Sequence, residues 1–156
     1  MLANVEVYVV VVAATLVALG SCVLLHYEGL LLVSRRLSRQ RDQRRVGVLY
    51  AVFSIIALHA MEICIFGITL WLLVQWPATG SVQGPASVDL FECLYLSATT
   101  FSTVGFGDIA PVGPIRFLSG NEALTGFVLI TWSASFTYLE MERFWRAEEK
   151  ESRSSE

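Results

Sequence analysis

The stretch TTFSTVGFGD at residues 99–108 decides how the rest of this chain is interpreted. In it, Gly105 and Gly107 alternate with the bulkier residues Val104 and Phe106. Because glycine adopts positive φ at little cost, such an alternation lets consecutive backbone carbonyls turn toward one axis. The stretch is therefore expected to present a row of oxygens, with Val104 and Phe106 pointing away and packing against the surrounding helix.

Three long apolar segments and one short one accompany this stretch. A membrane span needs about 20 mostly apolar residues to cross about 30 Å of hydrocarbon. The long segments lie at 5–33, 46–76 and 117–136, in a chain that is 54% hydrophobic and 16% charged. The segment at 88–102 is too short to span and is expected to form a re-entrant helix, capped at its start by Ser87 or Asp89.

Basic residues are concentrated in two places. Six arginines lie between the first and second long segments: Arg35, Arg36, Arg39, Arg41, Arg44 and Arg45. Four more basic residues follow the third segment: Arg143, Arg146, Lys150 and Arg153. By the positive-inside rule both regions are cytoplasmic and the N-terminus lies outside. The six arginines either bind anionic lipid or only fix the orientation of the chain.

The hexapeptide TVGFGD at 103–108 closely resembles the TVGYG-type selectivity filter of potassium channels, with Phe106 in place of the more usual tyrosine. Over roughly 46–145 the chain resembles the bacterial two-transmembrane, pore-loop potassium channels, with an additional N-terminal span. The resemblance implies K⁺ ligands at the carbonyls of Thr103, Val104, Gly105 and Phe106 and at the Thr103 hydroxyl, with Gly107 closing the outer end. It also implies a homotetramer, because one chain supplies one of the four filter strands.

The expected fold is an all-α integral membrane protein with three transmembrane helices, a re-entrant pore helix and a filter loop. Its segments are an N-terminal transmembrane helix at 1–33, a basic cytoplasmic loop at 34–45, a pore module at 46–145 and a short cytoplasmic tail at 146–156. The pore module divides into an outer helix at 46–76, a turret at 77–87, a pore helix at 88–102, the filter at 103–108 and an inner helix at 117–145. The resemblance favours the plasma (inner) membrane of a bacterium.

Residues near the filter depart from the pattern of the family. Phe106 has no hydroxyl to bond the pore helix, and Tyr95 and Leu96 stand where relatives often carry paired tryptophans. The cuff around the filter is therefore expected to be more apolar. Thr99 stands where some relatives place a buried glutamate. Glu122 is a candidate brace behind the filter, and Asp108 is expected at its outer end, where it raises the local cation concentration.

Ionisable residues within a span are candidates for function. His59 and Glu62 lie three residues apart and so share a helix face, which makes them a candidate pH-sensing pair or a structural polar contact. His26 and Glu28 are expected to reach the membrane interface near the inner end of the first span. Gly126 is either an inner-helix hinge or a close-packing contact between helices.

The expected function is passive conduction of K⁺ by a channel subunit that has neither a voltage sensor nor a cytoplasmic ligand-binding domain. Neither enzymatic activity, nor a cofactor other than the permeant ion, nor a nucleic-acid partner is expected, since His59 and Glu62 have no third catalytic member in the sequence. Two alternatives stay open: a non-selective cation channel, and a non-conducting regulatory subunit of a channel complex. The gating stimulus and the position of the gate are not predicted.

Overall fold

The computed structural model describes residues 2–39, 44–84 and 86–154, and this part of the chain is mostly helical. Its helices are α1 (Leu2–Arg39), α2 (Arg44–Val74), α3 (Leu90–Phe101) and α4 (Arg116–Ser154). A single 3₁₀ turn (Pro77–Thr79) and the strands β1 (Ser81–Gln83) and β2 (Ala110–Val112) complete the described elements.

Two of the described helices are long and apolar enough to cross a membrane, α1 over Val5–Ser38 and α2 over Val46–Val74. In the most apolar stretch of each helix, only 28% is buried inside the chain, so most of both helices faces outward. Helix α4 is longer than either, but polar residues such as Asn121 and Glu122 interrupt its apolar part and it does not meet the same criterion.

The helices extend further into the basic regions than the sequence predicts. Helix α1 continues to Arg39, so the predicted loop at 34–45 begins six residues too early. Helix α4 continues to Ser154, so most of the predicted tail at 146–156 is helical. In both places the apolar run has ended, but arginine, lysine and glutamate are good helix formers and let the helix continue.

The predicted outer helix at 46–76 has the observed length but begins and ends two residues too late, and the predicted pore helix is slightly too long. Helix α2 ends at Val74 rather than at 76, shortly before Pro77, which disfavours helical backbone in the preceding residue. Helix α3 begins at Leu90 because Asp89 is its N-cap, with the carboxylate accepting a hydrogen bond from the Glu92 amide at 2.9 Å. Its last residue is Phe101, one residue earlier than predicted.

A two-stranded antiparallel ribbon joins the chain before α3 to the chain after the 103–108 loop. Strand β1 pairs with β2 in the register Ser81↔Val112, Val82↔Pro111 and Gln83↔Ala110. The sequence predicts a turret at 77–87 and assigns no element to 109–116, because a three-residue strand gives no readable alternation. The ribbon fixes the two ends of the α3–loop segment close together.

The core lies where the four helices meet. It is built from the buried apolar residues Val11, Ala18, Cys22, Phe66, Leu70, Leu73, Val82, Cys93, Leu96, Phe101, Ile115, Leu118 and Leu129. Helix α3 lies tightly against α2 at Gly67, where an added Cβ would be 3.1 Å from the Cα of Leu94. The short helix is thus held by packing on its α2 side, and the ribbon closes the segment that it forms with the loop.

Candidate functional site

The loop at 103–108 follows directly from the C-terminal end of α3 and has an alternating backbone. Thr103, Gly105 and Gly107 have φ of +59°, +52° and +82°, and Thr103 is the one non-glycine residue with positive φ in the described part of the chain. Positive φ at the two glycines is the conformation that the sequence predicts. At Thr103 it is unexpected, because a β-branched residue rarely adopts it, and such local strain is concentrated at functional sites.

Backbone hydrogen bonds hold the start of this loop against the last turn of α3. The Thr103 amide donates to the Thr100 carbonyl at 2.9 Å, and the Gly105 amide donates to the Thr99 carbonyl at 3.0 Å. The Thr99 hydroxyl donates to the Leu96 carbonyl at 3.0 Å within the same helix. Thr99 therefore contacts the loop through its backbone carbonyl. Its side-chain hydroxyl bonds within α3 and not to the loop, where a buried carboxylate would lie in some relatives.

The side chains of the loop are open in the single chain. Val104 is 56% exposed and Phe106 is 70% exposed, so the prediction that they pack against the surrounding helix is wrong within one chain. The positions of added Cβ atoms at Gly105 and Gly107 also meet nothing within 4 Å. The chain on its own leaves both the apolar and the oxygen-bearing sides of the loop uncovered.

A polar contact holds the outer end of the loop. The Tyr95 hydroxyl on α3 donates to Asp108 Oδ2 at 2.9 Å. This hydrogen bond, together with the negative charge of Asp108, raises the pKa of Tyr95 and keeps the phenol protonated as a donor. Gly84 lies so close to the Asp108 carbonyl that a Cβ would overlap it. The cuff is therefore less apolar than predicted, since Tyr95 supplies a hydroxyl that Phe106 lacks.

Glu122 braces α3 rather than the loop itself. Its buried carboxylate Oε1 accepts a hydrogen bond from the Ser97 hydroxyl, which also lies 2.8 Å from the Ile63 carbonyl on α2. A serine hydroxyl has one proton to donate, so these two acceptors share it. The contact joins α2, α3 and α4, and the sequence does not predict Ser97 because nothing in its spacing relates it to Glu122.

Gly126 lies at a point of close approach between α4 and the end of α3. A Cβ added at Gly126 would overlap the backbone carbonyl of Phe101, the last residue of α3. Of the two roles that the sequence leaves open for Gly126, a hinge and a close-packing contact, the structure shows the close-packing contact. The hinge role stays a prediction.

His59 and Glu62 are brought together as predicted, and His26 joins them. Glu62 Oε2 lies 2.8 Å from His59 Nδ1, and Glu62 Oε1 lies 2.8 Å from His26 Nδ1. The expectation that His26 reaches the membrane interface is wrong: it is fully buried, because Glu62 offers it a partner between α1 and α2. The His59 ring also lies 5.8 Å from the Phe101 ring, so this cluster contacts the end of α3.

The predicted lipid-binding arginines are only partly described. Arg35 and Arg36 are exposed on α1. Arg39, Arg44 and Arg45 lie at helix ends and their side chains are outside the described residues, as is the whole of Arg41.

On α4, Arg143 pairs with Glu140 at 2.7 Å and Arg146 pairs with Glu142 at 2.6 Å.

Comparison with known proteins places the chain in a family. Residues 58–141, just over half of the chain, match the family model described as "Ion channel". The match covers the second half of α2, the whole of α3 and the loop, and most of α4.

Two curated relatives are similar over a shorter part. Protein LctB of Geobacillus stearothermophilus is 32% identical over 85 residues, and Protein LctB of Bacillus caldotenax is 29% identical over 85 residues. Each match covers 39% of this chain and 63% of the relative, so the chain spans less than two thirds of either relative. No solved structure matches the chain. From the extent of the family match, together with its long apolar helices, the protein belongs to the ion channel family and is a membrane protein.

Proposed function

We propose that the protein is one subunit of a potassium-selective channel, with the loop at 103–108 as its selectivity filter. The observation that carries the proposal is the positive φ at Thr103, Gly105 and Gly107, alternating along a TVGFGD sequence. Such a backbone can aim consecutive carbonyls at one axis and replace the hydration shell of a cation. The proposed ligands are the carbonyls of residues 103–106 and the Thr103 hydroxyl, with Gly107 closing the outer end.

The proposed assembly is a homotetramer around the axis that the four loops share. One chain supplies a single row of oxygens, and a ring of ligands requires rotational symmetry to close. The large exposed fractions of Val104 and Phe106 support this assembly, because a neighbouring subunit would cover these apolar side chains.

In the proposed membrane arrangement α1, α2 and α4 span the bilayer and α3 is re-entrant. Helix α3 has 12 residues, about 18 Å at 1.5 Å per residue, which is too short to cross the hydrocarbon. Its C-terminal end precedes the filter, so four such ends would offer partial negative charge to a cation. From the positions of the basic residues we infer that the N-terminus lies outside and the C-terminus lies in the cytoplasm. We also infer that the membrane is bacterial and that anionic lipid lies near Arg35 and Arg36.

The test is ion flux from liposomes that contain the purified protein. We expect K⁺ efflux that Ba²⁺ blocks, with little Na⁺ efflux, and loss of the efflux in Gly105→Ala, where an L side chain is strained at φ +52°. Gly120→Ala is the matched control, because this exposed glycine of α4 has open space around it and no positive φ. Equal K⁺ and Na⁺ flux would favour the less selective cation channel. An intact tetramer without flux at any pH or lipid composition would favour the non-conducting subunit.

A further inference from the structure

We propose that His26, His59 and Glu62 form a binding site for a divalent transition-metal ion of the zinc type, lying between α1 and α2. Each residue offers one ligand atom, and these atoms all lie within 4.8 Å of one another. The site lies outside the 103–108 loop, and the inference does not depend on the selectivity of that loop. Both histidines of the chain belong to it.

The ligand set and its spacing suit such an ion. Two imidazoles and one carboxylate are the ligands of open zinc sites, in which a fourth position is left to water or another small ligand. Zinc binds imidazole nitrogen and carboxylate oxygen at about 2.0–2.2 Å, so an ion can bridge donor atoms as close as these after small side-chain rotations. Imidazole also binds Cu²⁺ and Ni²⁺, whereas Mg²⁺ and Ca²⁺ prefer all-oxygen sites, which excludes them here.

Helix α4 orients one of the ligands. His26 Nε2 lies 3.3 Å from the Ser133 hydroxyl, and the His26 ring lies 5.3 Å from the Trp132 ring. A metal-binding histidine usually donates its second ring N–H to an oxygen, which fixes both the tautomer and the ring orientation. Ser133 can accept this hydrogen bond and so direct Nδ1 of His26 toward Glu62. An ion bound here would tie α1 and α2 together, with α4 holding one ligand in place.

One ligand of the site faces an open groove between α2 and α4. His59 is 17% exposed, and together with Ser133 it lines this groove of about 520 Å³, whose other walls include Ile55 and Thr137. His26 and Glu62 are fully buried behind His59. The groove gives room for a fourth ligand beside His59, which a cluster sealed on all sides would not.

Metal binding and the hydrogen bonds seen here exclude each other at the same nitrogens. A carboxylate can only accept hydrogen bonds, so each Nδ1 must carry a proton to bond to ionised Glu62, whereas a bound ion requires both Nδ1 atoms to be unprotonated. A neutral imidazole meets this requirement by carrying its proton on Nε2 instead, which for His26 faces Ser133. Since the His59 ring contacts the Phe101 ring, repositioning His59 would reach the last residue of α3, two positions before the loop.

The test is a titration of the full-length protein, stripped with EDTA and reconstituted in lipid nanodiscs, with Zn²⁺ followed by calorimetry and Co²⁺ followed by absorption. We expect one ion per chain and the intense visible bands of four-coordinate Co²⁺. His59→Gln and Glu62→Gln should abolish binding, and Ser133→Ala should weaken it by about 10–100-fold because it removes the orienting oxygen. Cys64→Ser is the control, because this exposed thiol lies two residues from Glu62 on α2 and should be dispensable.

Circular dichroism and gel filtration of each variant check that it is folded and assembled. The proposal is overturned by the absence of saturable binding in the folded wild type, which would leave the cluster as a hydrogen-bonded contact only. Binding of equal affinity in folded His59→Gln would overturn it as well. Because the titration measures no ion flux, a failed metal site and a failed potassium filter give separate results.

Discussion

At the scale of single residues, the loop depends on contacts that reach it from α3 and α4. Tyr95 holds Asp108 at the outer end through a 2.9 Å hydrogen bond, and Gly126 allows α4 to approach the Phe101 carbonyl at the inner end. Both ends of the 103–108 loop are therefore positioned by residues outside it. Substitutions at these two positions should affect different properties, since one contact is exposed and the other lies at a helix–helix contact.

Tyr95→Phe removes the hydroxyl that donates to Asp108. The exposed Asp108 carboxylate stays hydrated, so we expect the overall stability to change little while the outer end of the loop loses its tether. The expected result is a shorter conducting time in single-channel recordings, with the preference for K⁺ retained because the proposed ligands are backbone carbonyls. Tyr27→Phe, an exposed tyrosine on α1, is the control. Unchanged open times in Tyr95→Phe would contradict a supporting role for this contact.

Gly126→Ala tests the close contact between α4 and α3. The new Cβ would overlap a backbone oxygen, which cannot move as a side chain can, so we expect a loss of about 1–3 kcal/mol of stability. Gly20→Ala in α1, with open space around it, should instead add up to about 1 kcal/mol. Thermal unfolding followed by circular dichroism measures both. A Gly126→Ala variant as stable as the wild type would leave the hinge as the better explanation of this glycine.

At the scale of elements, the four helices were predictable and their mutual contacts were not. The lengths of the apolar runs predict α1, α2 and α4, and the short run at 88–102 predicts α3. The β1–β2 ribbon and the pairing of His26 with Glu62 depend on contacts between distant segments, which leave no periodic pattern in the sequence. The same holds for Ser97 and Glu122. Spacing along one helix reveals only pairs such as His59 and Glu62, three residues apart.

The start of α3 gives a prediction at this scale. Asp89 accepts a hydrogen bond from the Glu92 amide, and Asp89→Ala should cost about 0.5–2 kcal/mol because that amide loses its partner. Asp89→Asn keeps an accepting oxygen and should retain most of the stability. Chemical unfolding of the two variants separates the cap from the charge of Asp89: equal losses in both would mean that the charge, and not the cap, matters.

At the scale of the whole molecule, the single chain leaves the side chains of its 103–108 loop uncovered. Its loop presents apolar side chains to solvent at Val104 and Phe106, and the Cβ positions of Gly105 and Gly107 face open space. A tetramer of the 17.3 kDa chain would cover these side chains and close the ring of oxygens. The histidine cluster, by contrast, is complete within one chain, which is why it can be tested without the assembly being known.

Phe106→Ser tests the assembly. If a neighbouring subunit buries this side chain, its loss should weaken the tetramer. On native mass spectrometry, the fraction of tetramer should then fall at a lower detergent-to-protein ratio for Phe106→Ser than for the wild type. Phe53→Ser is the control, because Phe53 is about as exposed as Phe106 (68% against 70%) but lies on α2, outside the loop. An equal effect of both substitutions would mean that Phe106 has no particular place in the subunit contact.

The most direct test of the central claim is the reversal potential of single channels in a planar bilayer, with K⁺ on one side and Na⁺ on the other. A filter of backbone carbonyls at 103–108 predicts a reversal potential far toward the K⁺ equilibrium potential, and loss of the current in Gly105→Ala. A reversal potential near zero in the wild type, meaning that Na⁺ passes as readily as K⁺, would contradict the assignment of this loop as a potassium filter.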